Sequence, residues 1–225
     1  FWSLWKSFID PVPSCLLALG ELDGRHLITI EGIAASGLTP VMEAFLDEGA
    51  SQCGFCSPGF IVALTSFLIE GDIDPVRAVT AIEGNLCRCT GYGSIRRAAA
   101  RLAAEATDLP RELVPRLREL AARRVLPESL ASLMQDLPEP GSPPSPEGLR
   151  IGGGTDYFVR NPDPAPDVRL AFSDRQSGLS GIERKGDRLE LGAAVTVREF
   201  FSDPLIRAHV PAIETFEAQM ASLPI

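Results

Sequence analysis

No apolar run in this sequence approaches the roughly 20 residues that span a bilayer. The longest, Phe60 to Ile69, is interrupted by Thr65 and Ser66 and reads as a buried helix. No basic segment leads into an apolar stretch and a small-residue cleavage site, so no secretory signal is visible. A cytoplasmic location is the default expectation. Basic residues are in deficit, 21 Lys and Arg against 30 Asp and Glu, for a net charge of −9. An acidic surface is repelled by nucleic acid and by anionic membranes, so neither is expected as a partner. Histidine is scarce: His26 and His209 are both remote from the cysteines that carry the argument below. Internal repeats and low-complexity tracts are absent too. The chain opens on Phe1 rather than Met and closes on Pro224-Ile225 inside an element in progress, which suggests a piece of a longer protein.

What is present is a globular composition with cysteines in pairs. A length of 225 residues leaves room for one or two domains with real cores, and an apolar fraction of 45% excludes wholesale disorder. Of five cysteines, Cys53 with Cys56 and Cys87 with Cys89 form tight pairs, while Cys15 stands alone. Tight pairs in a cytosolic chain point to metal binding or redox work rather than structural disulfides.

Residues Leu27 to Ile33 are β-rich and read as a strand closing a small β unit. The period then turns helical. Thr39-Pro40, Ser57-Pro58 and Asp74-Pro75 each start a helix, with a capping side chain and proline in the first turn. These helices are expected to end near Ala50, Gly71 and Gly84, and a fourth runs from Ile95 to about Glu105. Four helices with short connections imply a compact antiparallel bundle. Both cysteine pairs fall in connections at one end of such a bundle, so they can converge. Arg111 to Arg124 reads as a charged, exposed helix or linker. Pro138 to Gly148 is Pro-, Gly- and Ser-rich and reads as an irregular loop. Beyond it come Leu149-Arg150-Ile151 running into Gly152-Gly153-Gly154-Thr155-Asp156, a strand-like alternation from Arg188 to Val195, and a capping box at Thr196–Glu199.

The pattern C-x2-C, a long gap, then C-x-C offers four thiolates, which can hold an iron–sulfur cluster or a zinc ion. Three features favour iron and sulfide. The C-x-C pair is closer than the usual zinc spacing. Gly54, Gly59, Gly84, Gly91 and Gly93 surround the pairs and let backbone N–H groups approach sulfur. Arg88 sets a positive charge beside a negative site. A thioredoxin-type dithiol at Cys53-Gly54-Phe55-Cys56 would follow a strand rather than a helix and leaves the second pair unexplained. Haem attachment fails because Ser57 stands where histidine is required.

The stretches Gln52-Cys53-Gly54-Phe55-Cys56-Ser57-Pro58-Gly59 and Gly84-Asn85-Leu86-Cys87-Arg88-Cys89-Thr90-Gly91-Tyr92 resemble the helical [2Fe–2S] domain of the xanthine dehydrogenase (molybdenum hydroxylase) family. That resemblance implies one cluster on Cys53, Cys56, Cys87 and Cys89. Ser14-Cys15-Leu16 with Thr29-Ile30-Glu31-Gly32 looks like the end of a plant-type ferredoxin domain. Cys15 would then be the last ligand of a second cluster whose other three ligands lie outside this sequence. Gln52 matches a glutamine that reaches the molybdopterin cofactor on the partner subunit. Ile151, Gly152, Gly153, Gly154, Thr155, Asp156 and Tyr157 look like the first FAD-contact loop, where consecutive glycines let backbone N–H groups cradle a pyrophosphate. The implied fold class is α+β: a four-helix [2Fe–2S]-binding bundle, then the N-terminal part of an α+β FAD-binding (PCMH-like) domain. The implied division is a ferredoxin-like remnant over 1–36, the helical domain over 37–108, a linker over 109–124 and a partial FAD-binding domain over 125–225. The resemblance implies an oxidoreductase subunit of purine catabolism with no catalytic residue of its own. It would pass electrons from a molybdenum-cofactor-binding large subunit through [2Fe–2S] clusters to FAD and NAD. A subunit acting on an aldehyde, carbon monoxide or another heteroaromatic, and a zinc-stabilised interaction module, are the rival readings.

Overall fold

The computed structural model describes residues 2–5, 8–12, 14, 17, 26–135, 147–163, 167–172 and 179–220. Contacts divide the chain into two compact units, one centred on residues 26–135 and the other on 147–220. The expectations for Cys15 and for most of the 138–148 loop lie outside the described residues.

The first unit opens with an antiparallel sheet of order β2-β1-β3, formed by β1 (Trp2–Trp5), β2 (Phe8–Pro11) and β3 (His26–Ile28). The strand expected through Ile33 stops at Ile28. A short helix, α1 (Ile30–Ile33), takes over, because the Ile33 N–H turns back to the Thr29 carbonyl at 3.2 Å. Ile33 is thereby buried and Ile30 packs against the same core, a three-residue spacing that suits a helix as well as it suits alternation.

Six longer helices follow. Thr39 caps α2 (Pro40–Asp47) by accepting the Met42 N–H at 3.4 Å, with Pro40 at the first helical position. In α3 (Ser57–Glu70) every residue from Phe60 to Ile69 is buried. A helix apolar on all sides must be wrapped by others. Thr65 inside it is satisfied by donating to the Ile61 carbonyl at 2.7 Å. Gly71, at φ +77°, ends α3 in the left-handed region that glycine enters freely. Asp74 caps α4 (Pro75–Ala81), accepting the Val76 and Arg77 N–H groups. Then come α5 (Gly93–Glu105), α6 (Leu113–Ala122) and α7 (Glu128–Gln135).

The segment read as an exposed linker is a packed helix. Leu117 and Leu120 of α6, followed by Val125, Leu126, Leu130 and Ala131, join the core that contains α2 to α5. The charged residue that disguised it is Arg116, itself buried. Its Nε donates to the Ile69 carbonyl at 2.7 Å, and its Nη1 donates to the carbonyls of Pro110 at 3.0 Å and Arg111 at 2.5 Å. Ile69 lies in the last turn of α3, where carbonyls lack intrahelical partners. Arg116 therefore clamps α6 onto the end of the central helix. A Cβ at Gly71 would collide with its guanidinium.

In the second unit, β4 (Leu149–Ile151) pairs in parallel with β5 (Leu170–Phe172), with α8 (Thr155–Arg160) between them in sequence. β6 (Ile182–Lys185) and β7 (Arg188–Leu191) form a hairpin. The strand expected from Arg188 to Val195 ends at Leu191. At Gly192 the backbone lies so close to the Leu179 carbonyl that a Cβ would collide with it, and the chain turns there. The capping box forms as expected: the Glu199 N–H reaches Thr196 Oγ1 at 3.1 Å and the Thr196 N–H reaches Glu199 Oε2 at 2.7 Å, opening α9 (Val197–Ser202). Two further helices, α10 (Pro204–His209) and α11 (Ile213–Gln219), complete a small core of Phe201, Ile206 and Ile213. The mixed helix and strand content is that of an α+β chain. Among the described residues, no helix is long and apolar enough to cross a membrane.

Replacing Arg116 by Met leaves the buried Ile69 carbonyl without its side-chain donor. An unpaired buried group costs roughly 1–3 kcal/mol, so Arg116→Met is expected to lose about 1–3 kcal/mol in urea unfolding followed by circular dichroism. Arg116→Lys should recover less than half, because an ammonium cannot span diverging acceptors. A stability equal to the parent protein in either variant would refute the clamp.

Candidate metal centre

Two loops build the site. The first leaves α2 and enters α3, with Gly54 at φ +82° and the Ser57 N–H returned to the Gly54 carbonyl at 3.2 Å. This tight turn puts Cys53 on the outer side and Cys56 at the cap of α3. The cap is therefore Cys56, one residue before the Ser57 cap expected from the sequence, and the helix begins at Ser57 itself. Ser57 instead meets the Ser51 hydroxyl at 2.9 Å. The second loop joins α4 to α5. It closes against α3 because Gly59 has no side chain: a Cβ there would strike the Asn85 amide. Gly91 and Tyr92 both sit at φ +67°, reversing the chain into α5. Left-handed backbone is costly for tyrosine. Here it swings the phenol back, and Tyr92 Oη accepts the Cys87 N–H at 2.9 Å.

The four paired cysteines meet across these loops. The Cys89 thiol donates to Cys53 Sγ at 3.6 Å, and both residues are exposed. Cys56 is half-buried and interacts with the buried Cys87. Each partnership thus takes one sulfur from each loop. All four thiols are free of disulfides. No group of three or more His, Cys, Asp or Glu among the described residues is gathered tightly enough to hold a single metal ion.

Electrostatics divide the four. The Phe55 backbone N–H, aided by the Cys89 thiol, holds Cys53 below the usual thiol range. The Thr90 hydroxyl, then the backbone N–H groups of Thr90 and Cys89, bring Cys87 down to about 7. Burial pushes Cys56 up to about 11, and the bond to Cys53 raises Cys89. Backbone and hydroxyl donors therefore already point at sulfur. An all-thiol donor set, split into two pairs and supplied with N–H donors, suits a two-iron, two-sulfide cluster in which each iron takes two thiolates.

Gln52 is exposed beside Cys53. Thr90 and Tyr92 were legible only as members of a motif. Their contacts with Cys87 run from a side chain to sulfur and to backbone, which no residue pattern specifies.

In the second unit, the loop read as a flavin cradle follows β4. Gly152 and Gly153 are exposed, and a Cβ at either would meet open space, so a ligand can approach this backbone. Gly154, at φ +80°, caps α8. Ile151 closes β4, Thr155 and Asp156 begin α8, Asp156 pairs with Arg160 at 3.1 Å, and the Tyr157 ring meets Phe158 edge-on.

Residues 29–100 match the family of the [2Fe-2S] binding domain. Over 100 residues, 44% of this chain, the sequence is 40% identical to a probable xanthine dehydrogenase subunit of Bacillus subtilis (strain 168), covering 58% of that protein. It is 42% identical over 99 residues to the nicotinate dehydrogenase small FeS subunit of Eubacterium barkeri, covering 43% of this chain and 62% of that one. It is 43% identical over 86 residues to the nicotine 6-hydroxylase small subunit of Paenarthrobacter nicotinovorans, covering 37% of this chain and 52% of that one. The chain thus spans roughly half to three fifths of the length of these relatives. The resemblance to iron–sulfur subunits of the xanthine dehydrogenase family, read from the two cysteine motifs, is borne out. The chain is similar to oxidoreductase subunits.

Tyr92→Phe removes the acceptor for a buried N–H. The metal-free variant is expected to lose about 1–2 kcal/mol in denaturant unfolding. An unchanged midpoint would mean the phenol does not hold the loop.

Proposed function

We propose that this chain is the electron-transfer small subunit of a molybdenum hydroxylase, most like xanthine dehydrogenase, and that Cys53, Cys56, Cys87 and Cys89 ligate one [2Fe–2S] cluster. The observation that carries the reading is the meeting of two cysteine loops in two cross-loop pairs, Cys53 with Cys89 and Cys56 with Cys87. Such a cluster, when bound, supplies reversible one-electron transfer. The protein's part is to fix four sulfurs, shield Cys87 from water and aim N–H donors at the thiolates. It performs none of the bond-breaking on the hydroxylated substrate.

The partner we propose is the molybdenum-cofactor-binding large subunit, in keeping with the relatives named as small subunits. Phe55 and Leu86, 94% and 75% exposed, project from the two cysteine loops and would dock against it. Aromatic side chains such as Phe55 are enriched in the cores of protein interfaces. Gln52, on the same loop as Phe55, would reach the molybdopterin there. The open backbone at Gly152 and Gly153 would receive the FAD pyrophosphate, with NAD as the final acceptor. We keep the proposed division into a ferredoxin-like remnant, an iron–sulfur domain and a flavin domain, and count α6 and α7 with the iron–sulfur unit. Cys15 would belong to a second cluster completed by ligands outside this sequence. A cytoplasmic location fits this role. Substrate is the open choice: relatives named for nicotinate and nicotine favour a heteroaromatic as the second reading.

Metal analysis of anaerobically purified protein tests the ligand assignment. About two irons and two acid-labile sulfides per chain, with a rhombic electron paramagnetic resonance (EPR) signal on reduction, are expected. Stoichiometric zinc without sulfide would promote the zinc-stabilised interaction module instead. Cys87→Ser is expected to abolish or severely reduce visible absorbance and iron content. A fully loaded variant sinks the assignment.

Gly153→Val in the full natural chain is expected to remove most bound flavin, because the branched side chain fills the open side of the loop. Undiminished flavin content would exclude that loop as the cradle.

A further inference from the structure

We propose that Thr90 is a positioning residue for electron transfer, its hydroxyl donating to the Cys87 thiolate and raising the reduction potential of the cluster that thiolate holds. The inference rests on the ligand assignment above and adds a residue outside the four cysteines.

The geometry sets the direction of the bond. Thr90 Oγ1 lies 3.2 Å from Cys87 Sγ, and the Thr90 N–H lies 3.4 Å from the same sulfur. A metal-bound thiolate carries no proton, so it can only accept, and the hydroxyl must donate. The hydroxyl is also oriented. The Tyr92 N–H donates to Thr90 Oγ1 at 3.2 Å, which occupies a lone pair and leaves the O–H for sulfur. Tyr92 Oη in turn accepts the Cys87 N–H at 2.9 Å. Cys87, Thr90 and Tyr92 therefore form a closed ring of hydrogen bonds around one sulfur. Cys87 is 6% exposed, so water does not compete for that sulfur. Cys53 and Cys89 are exposed, and there solvent can replace a lost donor.

Reduction adds an electron to a site already rich in negative charge. A hydrogen bond to sulfur favours the more negative state and raises the potential. Removing the Thr90 hydroxyl should lower it.

The test uses the loaded protein with Thr90→Val, Thr90→Ala and Thr90→Ser. Iron and sulfide are measured first, then the midpoint potential from the EPR signal at poised potentials. The Val and Ala variants are expected to keep their iron and to be reduced about tenfold less readily, about 59 mV lower for one electron. Thr90→Ser should stay at the parent potential, since it keeps the hydroxyl. Fully loaded Val and Ala variants at the parent potential overturn the proposal. Loss of the cluster in both, with Ser intact, assigns Thr90 a merely structural role and also overturns it. A parent protein without iron and sulfide overturns the ligand assignment itself, and this inference with it.

Discussion

A helix with ten successive buried residues can exist only when wrapped on every side, and α3 is that helix. Its burial organises the first unit. α1, α2, α4 and α6 pack against it, α5 packs in turn on α2 and α4, Gly71 and Arg116 close its C-terminal end, and Cys56 sits at its N-terminal cap. The N-terminal end of a helix carries exposed N–H groups and partial positive charge, a favourable setting for thiolates. Burial works against that setting at Cys56 and wins in the free thiol. A bound cation reverses the balance, since a coordinating thiol is held deprotonated by the metal. The wrapped helix thus fixes one ligand at a defined point, and the second loop is brought to it through the contact of Asn85 with Gly59.

The local half of this arrangement was legible in the sequence. Thr39 and Asp74 cap their helices because cap, proline and first turn are encoded within a few residues. The antiparallel logic of the bundle correctly brought the two cysteine loops together. The pairing of Cys53 with Cys89 was not legible, because spacing sets which residues are near and not which sulfurs face each other. The burial of α6 stayed hidden for a similar reason. Arg116 reads as solvent-facing until its acceptor, the Ile69 carbonyl, is seen to arrive from another helix. Alternation misled at both ends of the chain: Ile30 and Ile33 serve α1 as well as they would serve a strand, and Gly192 ends β7 where the pattern continues.

The two units differ in what they invest in packing. The first unit ties a large core to the loops that carry the cysteines. The second rests on Phe201, Ile206 and Ile213 and leaves Val159 and Phe216 largely exposed. A carrier site gains from rigidity, because little movement between oxidation states keeps electron transfer fast. A cofactor cradle needs an open backbone, and Gly152 and Gly153 provide one without any side chain to displace. The proposed roles follow this contrast: fixed sulfurs in one unit, an accessible glycine loop in the other.

Asymmetry within the four sulfurs gives the proposed carrier a direction. Cys53 and Cys89 lie at the surface on the two loops that present Phe55 and Leu86, so the exposed pair would be covered when those apolar side chains are covered. Docking would then do two things at once. It would remove apolar surface from water, and it would dry the outer sulfurs, strengthening every charge interaction around them. The inner sulfur, Cys87, is already dry and already supplied with donors by Thr90. A free subunit and a docked one would therefore differ mainly at the outer pair, while the inner pair keeps the environment the fold gives it. In that arrangement the fold sets a baseline for electron affinity, and the partner adjusts it on contact.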